Sequence, residues 1–557
     1  MISIDQNSHS LWDTLPKLQA LHAAGHRVSH FVEDIDVAFT SLGAHVAADD
    51  GATLGLARER FHRSGGADWG AALFYSDFLG RQACEIRTFE PYTGLKTNVL
   101  AKQLDRTVDE LYDEFSPGDN WQLIGPSYVG DRRRHRTIGD LSVRETAPFL
   151  MEIIDRARAN TLDSFPQADC QARTAQWFDI ERQRMEALTE AGPARLVELY
   201  VRWLEDYYLW GANICLGQSS SLFGNGSSPC EILNLFTRDY DRAADLYNQA
   251  LAECPVGLRP IKKAEGELPF FAVYEHDGHR VRGSVMREGA DWIRTGDMTF
   301  RLDKDGRLPQ EEMSKAGISG LAGKAILLVL QVRCGPNGHP LALPHRGSMY
   351  MPAAFRLQEL LQQHGLLSWP VQPVFRIRFH FLDRLKEIQA VIRLPEHLRG
   401  YFGRSEIPAS ELGHNYNRLA GEAAGRLERF KDAGSRKAWQ EEAMPDLSEE
   451  LRQLDRRRRE LAQSAPKGSE VRNIWQDIKL RNIEMLDALV RQVDRDLQVS
   501  QIEYWDSRGA LLPWAVALGG MSFYNALIKG ATIYEQQPSA MPPAAADQPQ
   551  ETHRPSL

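Results

Sequence analysis

The chain has 557 residues, 43% hydrophobic and 25% charged, an ordinary globular composition with length for about two to four structural units. Sixty-six Lys and Arg against 75 Asp and Glu give a net charge of −9, which excludes the broad positive field of a nucleic-acid binder and makes any anion site a local one. The six cysteines, Cys84, Cys170, Cys215, Cys230, Cys254 and Cys334, contain no C-x-x-C pair, so neither a structural zinc site nor a dense disulfide framework is expected and reduced cytosolic thiols fit.

The start, MISIDQNSHSLWDTLP, has no basic stretch followed by an apolar one, so no secretory signal is expected. Residues 17–39, 146–162 and 192–210 carry apolar side chains at helical spacing, which predicts a largely helical first half. Residues 97–115 follow the core pattern of a helix-turn-helix. However, Asp105 stands where that turn favours Gly, and five acids face Lys102 and Arg106, so a plain helical hairpin is expected. DRRRHR (131–136) is a dense basic run that reads as a solvated face or as a contact for a phosphate-bearing substrate.

FFAVYEHDGHRVRGSV (270–285) alternates around Asp277-Gly278, a strong hairpin signal, since a type I′ turn needs positive φ at both central residues. The hairpin already accounts for His276 and His279, so no metal site is expected there. A second turn is expected at Asp305-Gly306. AILLVLQVR (325–333) reads as a buried strand, 355–367 as a helix ending at Gly365, and 373–382 as an alternating strand, together a βαβ-type unit. From 408 to 505 the chain is charged and helical. The run 471–498 sets Ile474, Ile478, Met485, Leu489, Val493 and Leu497 on one stripe, and the break at Pro466-Lys467-Gly468 suggests an antiparallel hairpin or coiled-coil arm. Ala510 to Ile528 is uncharged and near the length of a membrane span. Its Pro513, Gly519-Gly520, Tyr524 and Asn525 favour a buried packing segment over a membrane contact. The Pro/Ala/Gln-rich tail, 536–557, is expected to be disordered.

Two stretches carry candidate chemistry. CLGQSSSLFGNGSSPC (215–230) contains a partial G-x-G-x-x-G with Pro229 in place of the last glycine. Ser228, Pro229 and Glu231 suit a capped helix start, and Gly224, Gly226, Ser227 and Ser228 are the cofactor-binding candidates through backbone N–H groups. The plain reading is a capped helix after a turn, and no clear ribose-binding acid follows at the spacing a dinucleotide site requires. GPNGHPLALPHRGSMY (335–350) gathers His339, His345, Arg346, Ser348 and Tyr350. His345 and His339 suit proton transfer and Arg346 suits a phosphate or carboxylate, which makes these three the catalytic candidates. The plain reading is an ordinary surface loop. GLAGKAILLVL (320–330) fails as a P-loop because no Ser or Thr follows Lys324 and the glycine spacing is wrong.

In order and spacing, about two-thirds of the chain resembles the cysteine-adding ligase family of bacillithiol biosynthesis. Glu265-Gly266-Glu267-Leu268-Pro269-Phe270-Phe271 stands where that family has an E-G-x-x-N-L-F-like stretch, with Pro269 in place of Asn. GSMYMPAAF (347–355) takes the place of a Gly-rich stretch containing Ala-Tyr and keeps little of it. The family's early T-G-Q-Q-x-G loop has no clear counterpart, though EPYTGLKTN (90–98) lies near its position. The resemblance implies a Rossmann-like core, a coiled-coil arm and the condensation of a thiol amino acid with an amino-sugar conjugate; the departures fall on the motifs that would carry that chemistry.

The expectation is therefore a helix-rich α/β or α+β protein: a helical or mixed region over 1–210, an α/β core with hairpins over 211–407, a helical hairpin or coiled-coil arm over 408–505, an apolar packing segment over 506–535 and the tail. The function expected is a cytoplasmic enzyme of ligase type that binds a small anionic ligand or nucleotide, with no metal. The alternative is a non-catalytic assembly protein that uses the arm, for instance to form a homodimer.

Overall fold

The computed structural model describes residues 1–5, 12, 14–36, 86–115, 128–129, 131–207, 213–254, 258–346, 348, 350–464, 469–507 and 511–537. Cys84 and the tail beyond 537 lie outside them.

The core is a six-stranded sheet built from Ile2–Ile4 (β1), Val28–Val32 (β2), Ile214–Gln218 (β3), Leu341–Pro344 (β4), Val374–Arg378 (β5) and Thr532–Gln536 (β6). In space the strands run β3-β2-β1-β4-β5-β6. The first five are parallel, and β6 closes the β5 edge antiparallel, with Phe375 opposite Glu535. Chain order reverses between β1 and β4, where Ile2 pairs with Leu341.

Both faces are covered, as a parallel sheet requires. Val28, Val32, Ala342 and Ile377 belong to a core with the helices Thr14–Ala23 (α1), Val143–Ser164 (α2), Ala168–Glu190 (α3) and Leu196–Tyr207 (α4). Ile2, Ile4, Leu341, Leu343 and Val374 face the opposite core, with Ala325–Arg333 (α5) and Met351–Gln363 (α6).

Against this second core lies a seven-stranded antiparallel sheet. Its centre is the expected hairpin, Glu267–His276 with His279–Glu288, in which Asp277 and Gly278 both take positive φ. The expected turn at Asp305-Gly306 is also present, with Gly306 donating to the Asp303 carbonyl. DRRRHR is a strand of this sheet: Arg134 is buried, and its guanidinium is bound to Asp297 and His276.

Three expectations are corrected. Residues 17–39 are not one helix: α1 ends at Ala23, Gly25 turns the chain at φ +79°, and β2 follows. Ala325–Arg333 is a helix, not a strand; its apolar residues are buried or partly buried all round, so no face alternates and periodicity does not distinguish the two. The strand of the βαβ unit is instead β4, inside the stretch read as a loop, and β4-α6-β5 completes the unit.

Residues 97–115 form the plain helical hairpin, with Asp105 at φ +58° in its turn. They seat on the junction of Ala409–Phe430 (α7) and Ser469–Ser500 (α9) through Leu100, Leu104, Phe430, Val490 and Val493. Between those two helices, Pro445–Ser464 (α8) pairs antiparallel with α9: Arg457 meets Glu470 and Arg481 meets Glu450. The predicted stripe on α9 is buried at Ile474, Ile478, Leu489, Val493 and Leu497. α7 is not part of a detached arm, because Leu412, Tyr416, Leu419 and Ala423 belong to the core beneath the sheet.

Leu511–Lys529 (α10) is the one described helix long and apolar enough to cross a membrane, and residues 511–518 are buried. It packs on α3 and α1, and its helical geometry breaks at Gly520 (φ 71°). With β6 and α10 both drawn from 506–537, and β1 and β2 from the first 32 residues, the core sheet crosses the segment limits expected at 210 and 505.

Candidate functional site

The carboxyl ends of β1, β2, β3, β4 and β5 all reach one edge of the sheet, and chain order reverses there between β1 and β4; in open α/β sheets such a reversal leaves a crevice at that edge. Ligands of open α/β sheets sit at such a point. Two charged groups flank it.

On the β4–β5 side, His345 leaves β4 still held in the ladder, its N–H donating to Ile377 O at 2.8 Å. Its imidazole is 8% exposed. Nδ1 lies 2.7 Å from Tyr534 Oη on β6, and Nε2 makes no hydrogen bond, with the Glu503 carboxylate 3.8 Å away. Burial, with help from Arg346 and Arg378, lowers the imidazole pKa against the pull of Glu503, so the ring is neutral at neutral pH. Arg346 reaches Glu503 with Nε at 3.1 Å and also with Nη2; Arg378, from the end of β5, adds Nη2 at 3.2 Å. Burial would raise the Glu503 pKa, but these guanidiniums and His345 outweigh it and hold the carboxyl down at about 2. Arg376 is buried, bound to Gln536 Oε1 at 2.7 Å and to Pro344 O at 2.8 Å, and desolvation brings its pKa down to about 10.

On the β2–β3 side, Glu33 and Asp34 leave β2. Glu33 Oε1 accepts from the N–H groups of Ile35 and Asp36 at 2.7 and 3.1 Å, and Ser219 Oγ lies 2.9 Å away. Asp34 accepts from Ser220 N–H at 2.7 Å and from Arg280 Nη1 at 2.9 Å, while Arg282 pairs with Asp36 at 2.6 Å. Burial first, then the charges of Asp36 and Asp34, push Glu33 up to about 8, so it carries its proton at neutral pH.

Tyr350 spans the two groups. Burial raises its hydroxyl pKa; a hydrogen bond with Ser348 and the charge of Arg376 oppose this, and the charges of Asp36 and Glu33 add to it. It opens α6, after Ser348, which takes φ +58°, a left-handed conformation costly for serine.

The expected loop 335–350 is thus divided. His345 and Arg346 meet at the crevice with Ser348 and Tyr350 following, whereas His339 lies before β4, its N–H bound to Val332 O at 2.9 Å. Four residues of strand, about 13 Å, separate the two ends, so His339 does not join His345. The 224–228 stretch lies elsewhere again. Gly224 is bridged to Gly320, Asn225 N–H donates to Ser319 O at 3.0 Å, and Ser227 N–H to Gly224 O at 2.9 Å, so part of this backbone is engaged by the antiparallel sheet. Ser227 is the N-cap and its hydroxyl turns back to Leu222 O; Ser228 begins a short 3-10 turn beside Gly335. The capping box expected at Ser228 is not formed, because Glu231 is drawn to Arg307 and Asn234.

Sequence reasoning missed Glu33, Asp34, Ser219, Arg378, Glu503 and Tyr534. For the first two a signal existed, since FVEDID places acids directly after a short apolar run. Glu503 has none, because it arrives from more than 150 residues away, on the turn Ile502–Ser507.

Among the described residues, no group of three His, Cys, Asp or Glu could hold a metal ion, and the five described cysteines are free thiols. Neither a family model, nor a curated protein, nor a solved structure matches this chain.

Proposed function

We propose that the chain is a cytoplasmic enzyme built on a Rossmann-like sheet, and that the crevice between β1 and β4 binds a small anionic ligand, with a nucleotide as the best-suited class. The observation that carries this reading is the convergence of His345, Arg346 and Arg378 on the carboxyl ends of β4 and β5, beside the reversal of strand order. The order β3-β2-β1-β4-β5-β6 supports the Rossmann-like assignment. Free thiols suit a reducing compartment. In a ligase-type condensation, of the kind the family resemblance implies, neutral His345 would take the proton of the attacking nucleophile. Arg346 and Arg378 would hold the anionic group of the other substrate.

A thermal-shift titration of the full chain with nucleotides, sugar phosphates and amino acids, with and without Mg²⁺, tests this. One ligand class should raise the melting temperature with dose, since a ligand bound only to the native state stabilises it by mass action. Arg346→Ala should cost that ligand tenfold or more in affinity; unchanged binding in this variant would sink the assignment.

The second reading is assembly through the helical arm. It draws support from α9, where Trp475 is 53% and Leu480 56% exposed. Light scattering of wild type and the Trp475→Ser/Leu480→Ser double variant decides it: a wild-type dimer that the variant loses favours assembly, and a monomer in both removes it.

A further inference from the structure

Resting on the anion-site reading, we infer that Glu503 is a specificity-determining residue of the crevice: its carboxylate occupies the guanidinium pair, so that phosphoryl groups gain entry and monocarboxylates are turned away.

Arg346 offers Glu503 two donors and Arg378 a third, and His345 Nε2 stands 3.8 Å off with its own hydrogen bond unmade. Both Arg346 donors end on Oε2 and Arg378 takes Oε1, so the two guanidiniums together bracket the carboxylate as they would a carboxylate or phosphate from a ligand. Here the chain supplies the anion itself. The Glu503 side chain is 14% exposed, so it stands at the rim of the site and is not sealed into the core. It rides on the 3-10 turn Ile502–Ser507, which is tied down independently where buried Asp506 accepts from Leu382 N–H at 3.4 Å. Moving the Glu503 carboxylate therefore leaves the turn anchored.

Charge and valence set the selection. A ligand monocarboxylate that displaces Glu503 restores the same two ion pairs and gains nothing. It must also compete with a group held at the millimolar effective concentration, or higher, of a tethered partner. A phosphoryl group brings up to two charges against two guanidiniums. Its third terminal oxygen can accept from His345 Nε2 when the ring carries its proton there, or from a bridging water. Only the second exchange is favourable.

Isothermal titration of the full chain with pyrophosphate and with acetate reads this directly, on wild type, Glu503→Gln and Arg346→Ala. Wild type should bind pyrophosphate and not acetate. Glu503→Gln, which keeps the shape and removes the charge, should bind pyrophosphate at least tenfold tighter and acetate measurably. If Glu503→Gln leaves pyrophosphate binding unchanged or weaker while Arg346→Ala abolishes it, the role of Glu503 is overturned and the anion site stands. If neither wild type nor Glu503→Gln binds pyrophosphate, both fall. Should circular dichroism show Glu503→Gln misfolded, Glu503→Asp, with the carboxylate withdrawn by one methylene, takes its place; it should tighten pyrophosphate binding severalfold, and no change would again overturn the role.

Discussion

Glu33 and Glu503 lie on either side of one crevice, and both carboxyls are largely withdrawn from water, yet they are driven in opposite directions. Glu503 meets two guanidiniums and is held ionised, down to about 2; Glu33 meets Asp34 and Asp36, whose own cations Arg280 and Arg282 reach past it, and is held protonated, up to about 8. Desolvation is the first influence on each. What separates them is whether the nearest charges are of the opposite or the same sign. The crevice is therefore cationic on the β4–β5 side and carries a stored proton on the β2 side. A ligand with an anionic end and a proton-accepting end would lie across it in one orientation.

The comparison can be broken most forcefully at Glu33. A carboxyl whose folded pKa is raised contributes stability that is complete below its ordinary value of 4.5 and lost as pH rises through about 8. Wild type should therefore lose on the order of 4 kcal/mol relative to Glu33→Gln between pH 4 and 9, read from urea midpoints. A pH-independent difference would mean that Glu33 is ionised and the contrast is absent. Next is Arg378→Met, which leaves Glu503 with one guanidinium and takes a cation from Asp383 and Asp506; a loss of about 3 kcal/mol at pH 7 is expected. Acid titration then sharpens the Glu503 half. Its depressed pKa contributes stability present above 4.5 and lost as pH falls through about 2, so the advantage of wild type over Glu503→Gln should shrink by about 2 kcal/mol from pH 5 to 2. The smallest effect serves as the reference. Arg457→Ala breaks the Glu470 pair between α8 and α9, whose side chains are 65% and 55% exposed, and should change stability by less than about 0.5 kcal/mol.

Where local chemistry dictates structure, the sequence was readable. Asp277-Gly278 specified its hairpin because few other pairs accept two positive φ angles, and the α9 stripe showed its buried face through spacing alone. Readability failed where burial is complete or the strand is very short. α5 is apolar on every side, and β4 is four residues between Pro340 and an end at Pro344, so neither shows a period. At the site, His345 and Arg346 were found because they share one segment. Their partners were not, because Arg378, Glu503 and Tyr534 are brought to them by three later elements. His339, six residues from His345 in sequence, is carried to the opposite edge by the strand between them.

β1 and β6 lie far apart in the sequence, and the sheet places β1 at its centre and β6 at its rim. Ile2 waits for Leu341, some 340 residues further along, and His345 waits for Tyr534, 189 residues further along. Contacts so distant in sequence are slow to form and leave apolar strands uncovered meanwhile. On the ribosome, then, His345 acquires Tyr534 only after Arg346, Arg378 and Glu503 have all been made, and a nascent chain that stops short of residue 532 lacks the strand that holds its Nδ1.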